Sequence, residues 1–160
     1  MTQAHPWTAA LPEPDTAAAA AARERQSRLT KPPGSLGRLE ETAIALAGQQ
    51  GTPTPRVETI HVSVFAGDHG VCAEGVSAFP QAVTAQMVAN FTVGGAAISV
   101  LAKSLGARLE VVNTGTVAPV PVSTGVVDAT VGPGTGNLAR EPAMSESACE
   151  QALAAGRHIA

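Results

Sequence analysis

The sequence predicts an α/β fold built on a parallel sheet that is incomplete within the chain, preceded by a helical segment. Three observations carry this. Residues 57–66 alternate, with Ile60, Val62, Val64 and Ala66 on one side and Thr59, His61, Ser63 and Phe65 on the other, the period of a strand. A long apolar helical stretch and a second strand, residues 109–113 (LEVVN), follow, and a strand–helix–strand unit implies parallel strands with a right-handed crossover. Two or three parallel strands are few for a sheet covered on both faces. The last helix ends near Gly156, where the next strand is due, so the chain is expected to stop inside a larger fold.

The elements follow in order. Residues 1–14, with His5, Pro6, Trp7, Pro12 and Pro14, read as a flexible lead-in. Asp15 or Thr16 can cap a helix running through the Ala run to Leu29, whose methyl-only face packs closely but weakly. Pro32 and Pro33 then break the chain. Ser35 is expected to cap a second helix with Leu36, Leu39, Ala43 and Leu46 inward, and Gly51 to end it. Residues 15–55 thus form the helical segment, and 56–160 the first part of the α/β domain.

After the first strand comes a loop, residues 67–75, and then one helix from Pro80 to about Leu105, with Val83, Met87, Phe91, Ile98 and Leu101 buried. Gly94-Gly95 interrupts it, where another backbone is expected to approach. Residues 117–131 are Val-rich, with Pro119, Pro121 and Gly125, and predict a third strand with a hairpin. Residues 132–137 read as a turn, Ser145 as the cap of a last helix closed by Gly156, and residues 158–160 as the start of a further strand.

The chain has 160 residues and 16.0 kDa, light because 16 residues are Gly and many are Ala. Charged residues are 14% and mean hydropathy is +0.13, which argues against disorder over most of the length. Net charge is −3 with pI near 5.8 and no Lys/Arg cluster, which excludes a nucleic-acid surface. No run of about 18 apolar residues predicts a membrane span. The N-terminus lacks a basic start followed by an apolar run, so no secretory signal is expected. Cys72 and Cys149 stand apart and read as free thiols of a reducing cytoplasm.

The segment richest in chemistry is residues 67–86, GDHGVCAEGVSAFPQAVTAQ, which lies after a strand and before a helix. Ligands of open α/β sheets bind at the carboxyl ends of strands. Asp68, His69, Glu74, Ser77, Gln81 and Gln86 offer polar groups, and Phe79 and Pro80 offer flat apolar surface. That mixture suits a planar, partly polar heterocycle. Each residue also has a plainer reading: Asp68 can cap its turn, Ser77 can cap the next helix, and Gln86 can face solvent. No further ligands stand at metal spacing around Asp68 and His69, so no metal is expected. Residues 132–137 (GPGTGN) can present N–H groups to a phosphate, but lack the Lys-Ser/Thr of a P-loop and read more simply as a turn.

Four blocks resemble the nicotinate-nucleotide–dimethylbenzimidazole phosphoribosyltransferase family: KPPGSLGRLE at 31–40, FAGDHGVCAEGVSAFPQAVTAQMV at 65–88, NFTVGGAAISVLA at 90–102 and PGTGNLAREPAMS at 133–145. The resemblance covers about residues 23–160. It implies a homodimeric cytoplasmic enzyme with a Rossmann-like parallel sheet and a small helical domain built from the terminal segments. It implies transfer of a phosphoribosyl group from nicotinate mononucleotide to 5,6-dimethylbenzimidazole, giving α-ribazole 5′-phosphate and nicotinate in cobalamin nucleotide-loop assembly, with no metal or organic cofactor. It implies base-binding roles for Ser77, Phe79, Pro80 and Gln86. Asp68, His69 and Gly70, directly after the strand, are expected as an active-site loop. The family's phosphate loop and its general-base glutamate are expected beyond Ala160. Asn113 departs from the family, which carries Asp at that strand end. The chain is therefore expected to be the N-terminal half of such an enzyme, without activity alone. The alternatives are a non-catalytic benzimidazole-binding half-protein and a decayed relative.

Overall fold

The computed structural model describes residues 10–120 and 125–159, so Trp7, Pro121 and the end of the expected final strand, Ala160, lie outside the described residues. The chain divides into two compact units, Met1–Glu58 and Thr59–Ala160.

The first unit is a pair of helices, α1 (Thr16–Arg28) and α2 (Arg38–Gln50). Asp15 caps α1, its Oδ1 accepting from the N–H groups of Ala17 and Ala18 at 2.9 Å. The interface is made of methyl groups and one glycine: Ala18, Ala22, Ala47 and Gly48 are buried. A Cβ on Gly48 would stand 3.3 Å from the Asp15 carbonyl oxygen, so the helices meet at the closest approach that side chains permit. This is the close, weak packing expected of an Ala-rich helix.

The turn between the helices differs from expectation. Ser35 does not cap α2; Gly37 does, and without a side-chain bond. Gly34 and Gly37 both take positive φ, 72° and 53°, and the chain makes an extra turn before the helix begins. Glu40 reaches back from the first turn instead, accepting from the Leu36 N–H at 3.2 Å and from Lys31 Nζ at 2.7 Å. The buried face is consequently rotated: Leu36 and Leu39 are exposed, and Ala47 and Gly48 take the interior. Gly51 ends α2 in the left-handed region, as expected.

The second unit is a three-stranded sheet with helices. Strands β1 (His61–Gly67), β2 (Arg108–Gly115) and β3 (Val126–Asp128) lie in the order β1-β2-β3, all parallel. β1 alternates as the sequence requires, with Val62, Val64 and Ala66 more buried than His61, Ser63 and Phe65. The third strand is not part of a hairpin. It pairs parallel to β2 over three residues, Val111 with Val126 through Asn113 with Asp128. At the carboxyl end Ala66 faces Asn113 but Gly67 faces Gly115, so Thr114 is an extra residue. Its hydroxyl donates back to the Ala66 carbonyl at 2.9 Å.

The expected single helix after Pro80 is two, α3 (Ala82–Thr92) and α4 (Ala97–Ser104). The segment Ala82–Ser104 is long and apolar enough to cross a membrane by composition. It is broken at Gly94-Gly95, however, and neither helix reaches the roughly 20 residues a span needs. Among the described residues no foreign backbone enters there. A Cβ on Gly95 would collide with the Asn90 side chain, which folds back over the break. The Ser99 hydroxyl joins the two helices by donating to the Phe91 carbonyl at 2.9 Å. The buried positions are Ala85, Val88, Ser99 and Ala102, whereas the expected Met87 and Leu101 are exposed. The core proper is small: Val88 and Val112 are its largest fully buried side chains.

The last helix, α5 (Glu146–Ile159), starts beside Ser145, whose Oγ accepts from the Ala148 N–H at 3.2 Å. It runs through Gly156 to Ile159, so Gly156 does not end it and residues 158–159 continue the helix instead of starting a strand. Gly156 has no positive φ, and a helix tolerates one glycine at a cost of about 1 kcal/mol.

Candidate functional site

The chain after β1 and the chain after β3 carry two loops, residues 67–75 and 132–140, and these are sewn together. The Asp68 carbonyl accepts from the Thr135 N–H at 3.1 Å, and the Gly70 N–H donates to the Thr135 carbonyl at 2.9 Å. His69 and Thr135 form a parallel bridge, with His69 Nδ1 3.3 Å from Thr135 Oγ1. Gly70 must be glycine for this approach, because a Cβ there would lie 2.7–2.8 Å from the backbone of residues 135–137. Gly134, at φ 95°, lies equally close to the Asp68 carbonyl oxygen, 2.8 Å from where its Cβ would be.

A second tie lies further out. Gly70–Glu74 forms a 3-10 turn ended by Gly75 in the left-handed region. Glu74 Oε1 accepts from Arg140 Nε and from Asn137 Nδ2, each at 2.7 Å. These two bonds, Arg140 first, hold the Glu74 carboxyl below the usual carboxylate range. Asn137 is used at both ends, since its Oδ1 accepts from the Ala139 N–H at 3.0 Å.

Asp68 is 4% exposed. Its Oδ1 accepts from Thr84 Oγ1 at 2.6 Å and its Oδ2 from the Val117 N–H at 2.8 Å. One carboxylate thus joins the end of β1, the first turn of α3 and the exit from β2. Burial of a carboxylate requires such donors.

Two cavities flank the turn Gly67–His69. One, of about 290 Å³, is walled by Phe79, Pro80, Val83 and Met87, with Ser77, Gln81, Thr84 and Cys72 at its edges. Phe79 is 70% exposed, so its ring is offered to whatever enters. Ser77 shapes this wall: its Oγ donates to the Phe79 carbonyl at 2.9 Å and accepts from the Phe79 N–H at 3.3 Å. Gln81 ties the wall to the turn through Nε2 to the His69 carbonyl at 3.0 Å. The other cavity, of about 410 Å³, lies between Thr114, Gly132–Thr135 and the start of α5 at Ser145.

Of the residues singled out from sequence, Ser77, Phe79, Pro80, Asp68 and His69 line the first cavity, and Asp68 and His69 also line the second. Gly70 packs beneath them against residues 135–137. Gln86 is exposed on α3 and lines neither cavity, because Val83 and Met87 occupy the helix face that does. Ser77 does not cap α3, whose N-cap residue is Gln81. Sequence reasoning missed Thr84 and the partnership of the two loops. The only available signal was that two glycine-rich segments each follow a strand. Among the described residues no three His, Cys, Asp or Glu are grouped to hold a metal.

Comparison with known proteins bears on this geometry. A phosphoribosyltransferase family model matches residues 11–160. The chain is 56% identical over 151 residues to the nicotinate-nucleotide–dimethylbenzimidazole phosphoribosyltransferase of Ectopseudomonas mendocina, covering 94% of this chain and 43% of that protein. It is 53% identical over 160 residues to the protein of the same name from Pseudomonas putida, covering 100% and 45%. The crystal structure of the Thermus thermophilus protein of that name superposes with a TM-score of 0.84 at 48% identity, over 91% of this chain and 44% of that one. The chain therefore spans less than half the length of the relatives it matches.

Proposed function

The chain belongs to the phosphoribosyltransferase family, and from this we propose that it forms the base-binding half of an enzyme joining 5,6-dimethylbenzimidazole to the phosphoribosyl group of nicotinate mononucleotide. The observation that carries the reading is the first cavity, an exposed Phe79 ring, Pro80 and Met87 facing a polar turn at the end of β1. A flat aromatic base with polar nitrogens fits such a wall.

In the reaction a benzimidazole nitrogen attacks the ribose C1, and the bond from C1 to the pyridine nitrogen breaks, its electron pair leaving with nicotinate. The other benzimidazole nitrogen gives up its proton to a base. Residues of this chain bind and orient the ring, which holds the attacking nitrogen toward C1. The proton acceptor and the phosphate loop belong to sequence beyond Ala160 in the longer polypeptide. That polypeptide works as a homodimer in the cytoplasm, a compartment that suits the free thiols Cys72 and Cys149.

The test is a chimera of this chain followed by the remaining part of the Pseudomonas putida relative. It is expected to release nicotinate and form the ribosylated base from the two substrates. Phe79→Ala in that chimera is expected to raise the KM for dimethylbenzimidazole about 5- to 30-fold, from roughly 1–2 kcal/mol of aromatic contact, with the KM for the nucleotide little changed. An inactive chimera would support the reading of a non-catalytic binding half, and an unchanged base KM in Phe79→Ala would remove the assignment of this cavity.

A further inference from the structure

We propose that Asp68 is a positioning residue that sets the width of the Phe79–Met87 cavity, and so its selectivity among bases, by holding α3 through Thr84. The inference rests on the base-binding reading of that cavity. Asp68 is buried, and among the described residues no Lys, Arg or His pairs with it. Its two oxygens have separate anchors. Oδ2 is fixed by the Val117 N–H at the exit of β2, a backbone donor on the sheet side. Oδ1 holds the hydroxyl of Thr84 at 2.6 Å, a short charge-assisted bond to the third residue of α3.

The same helix supplies the cavity's apolar wall, Val83 before Thr84 and Met87 nearly one turn after it. The neighbouring wall, Phe79–Pro80, is held by the Ser77 hydroxyl and by Gln81 on the His69 carbonyl, and meets α3 where the Pro80 carbonyl accepts from the Val83 N–H at 3.0 Å. The wall at Val83 and Met87 is thus tied to the polar turn on the cavity's other side by the Thr84–Asp68 bond. A cavity of fixed width rejects a ring lacking substituents by leaving space unfilled, and one missing methyl group changes selectivity about 10-fold or more.

Thr84→Val in the chimera keeps the side-chain shape and removes the hydroxyl. The KM for dimethylbenzimidazole is expected to rise about 5-fold, and the preference for it over unsubstituted benzimidazole to fall about 3-fold or more, from the size of a methyl-sized contact. Nucleotide KM and kcat should shift less than about 2-fold, a split that a general loss of structure does not produce. Thr84→Ser, which restores the hydroxyl, should return both base parameters toward the parent. If the valine variant does not fold, Thr84→Ala tests the same bond without the second methyl. Parent turnover with unchanged base KM and unchanged base preference in the folded variant would overturn this proposal alone. An unchanged base KM in the Phe79→Ala chimera would overturn the base-binding reading of the cavity and this inference together.

Discussion

Gly70 shows how one missing side chain holds a site together. The segment from 135 to 137 passes so close that any Cβ at position 70 would press on backbone atoms, which cannot rotate away. Gly70→Ala is expected to destabilise the chain by about 1–3 kcal/mol through overpacking, measured as a lowered midpoint in urea at unchanged m-value. A variant as stable as the parent would mean that the two loops can part without cost. The residue-scale chemistry of the site was partly legible. Asp68, His69, Ser77, Phe79 and Pro80 stand in one run of sequence after a strand, and that run lines the cavity. The roles of Thr84 and Thr135 were not legible. Their partners lie 16 and 66 residues away, and a threonine in a helix or a turn carries no mark of a distant bond.

Elements were read well where the governing bond is local. Asp15 caps α1 with bonds to residues two and three positions on, the pattern its sequence signals. Asp15→Ala is expected to cost about 1 kcal/mol, seen as a lower denaturation midpoint with reduced helical circular dichroism. At α5 the opposite change is available. A Cβ on Gly156 meets nothing within 4 Å, so Gly156→Ala should stabilise the helix by about 0.5–1 kcal/mol. A destabilised variant would show that the helix does not run through that position. Elements were misread where a glycine's use depends on its neighbours. Gly156 reads as a stop and is interior to a helix, and Gly37, not Ser35, starts one. Leu36 and Leu39 have helical spacing yet stay exposed, because the turn at Gly34–Gly37 rotates α2 onto its smaller residues.

At the scale of the whole molecule, acid is the condition that should lower stability. Glu40 is held below the usual range by Lys31 and then the Leu36 N–H, Glu74 by Arg140 and then Asn137, and Asp128 by the Thr130 hydroxyl and then its N–H. A carboxyl with a depressed folded pKa lends stability that is full above its unfolded value and is lost as pH falls through the folded one. Unfolding midpoints should therefore be level near neutrality and fall below about pH 4.5, the ordinary glutamate value. Glu74→Gln should lower stability at neutral pH and flatten part of the acid fall; an acid profile identical to the parent's would mean that the Arg140 pair contributes nothing. By itself the sequence determined the helical start, the alternating first strand, the parallel pairing of the first two strands and the segment that lines the first cavity. Those depend on periodicity and on caps within four residues. Only the tertiary structure decided that the third strand is parallel, that the apolar stretch after Pro80 is two helices, and that two glycine-rich loops form one site. Those outcomes rest on contacts between residues far apart in the chain, where close backbone approach and a buried carboxylate choose the partner and local propensity does not.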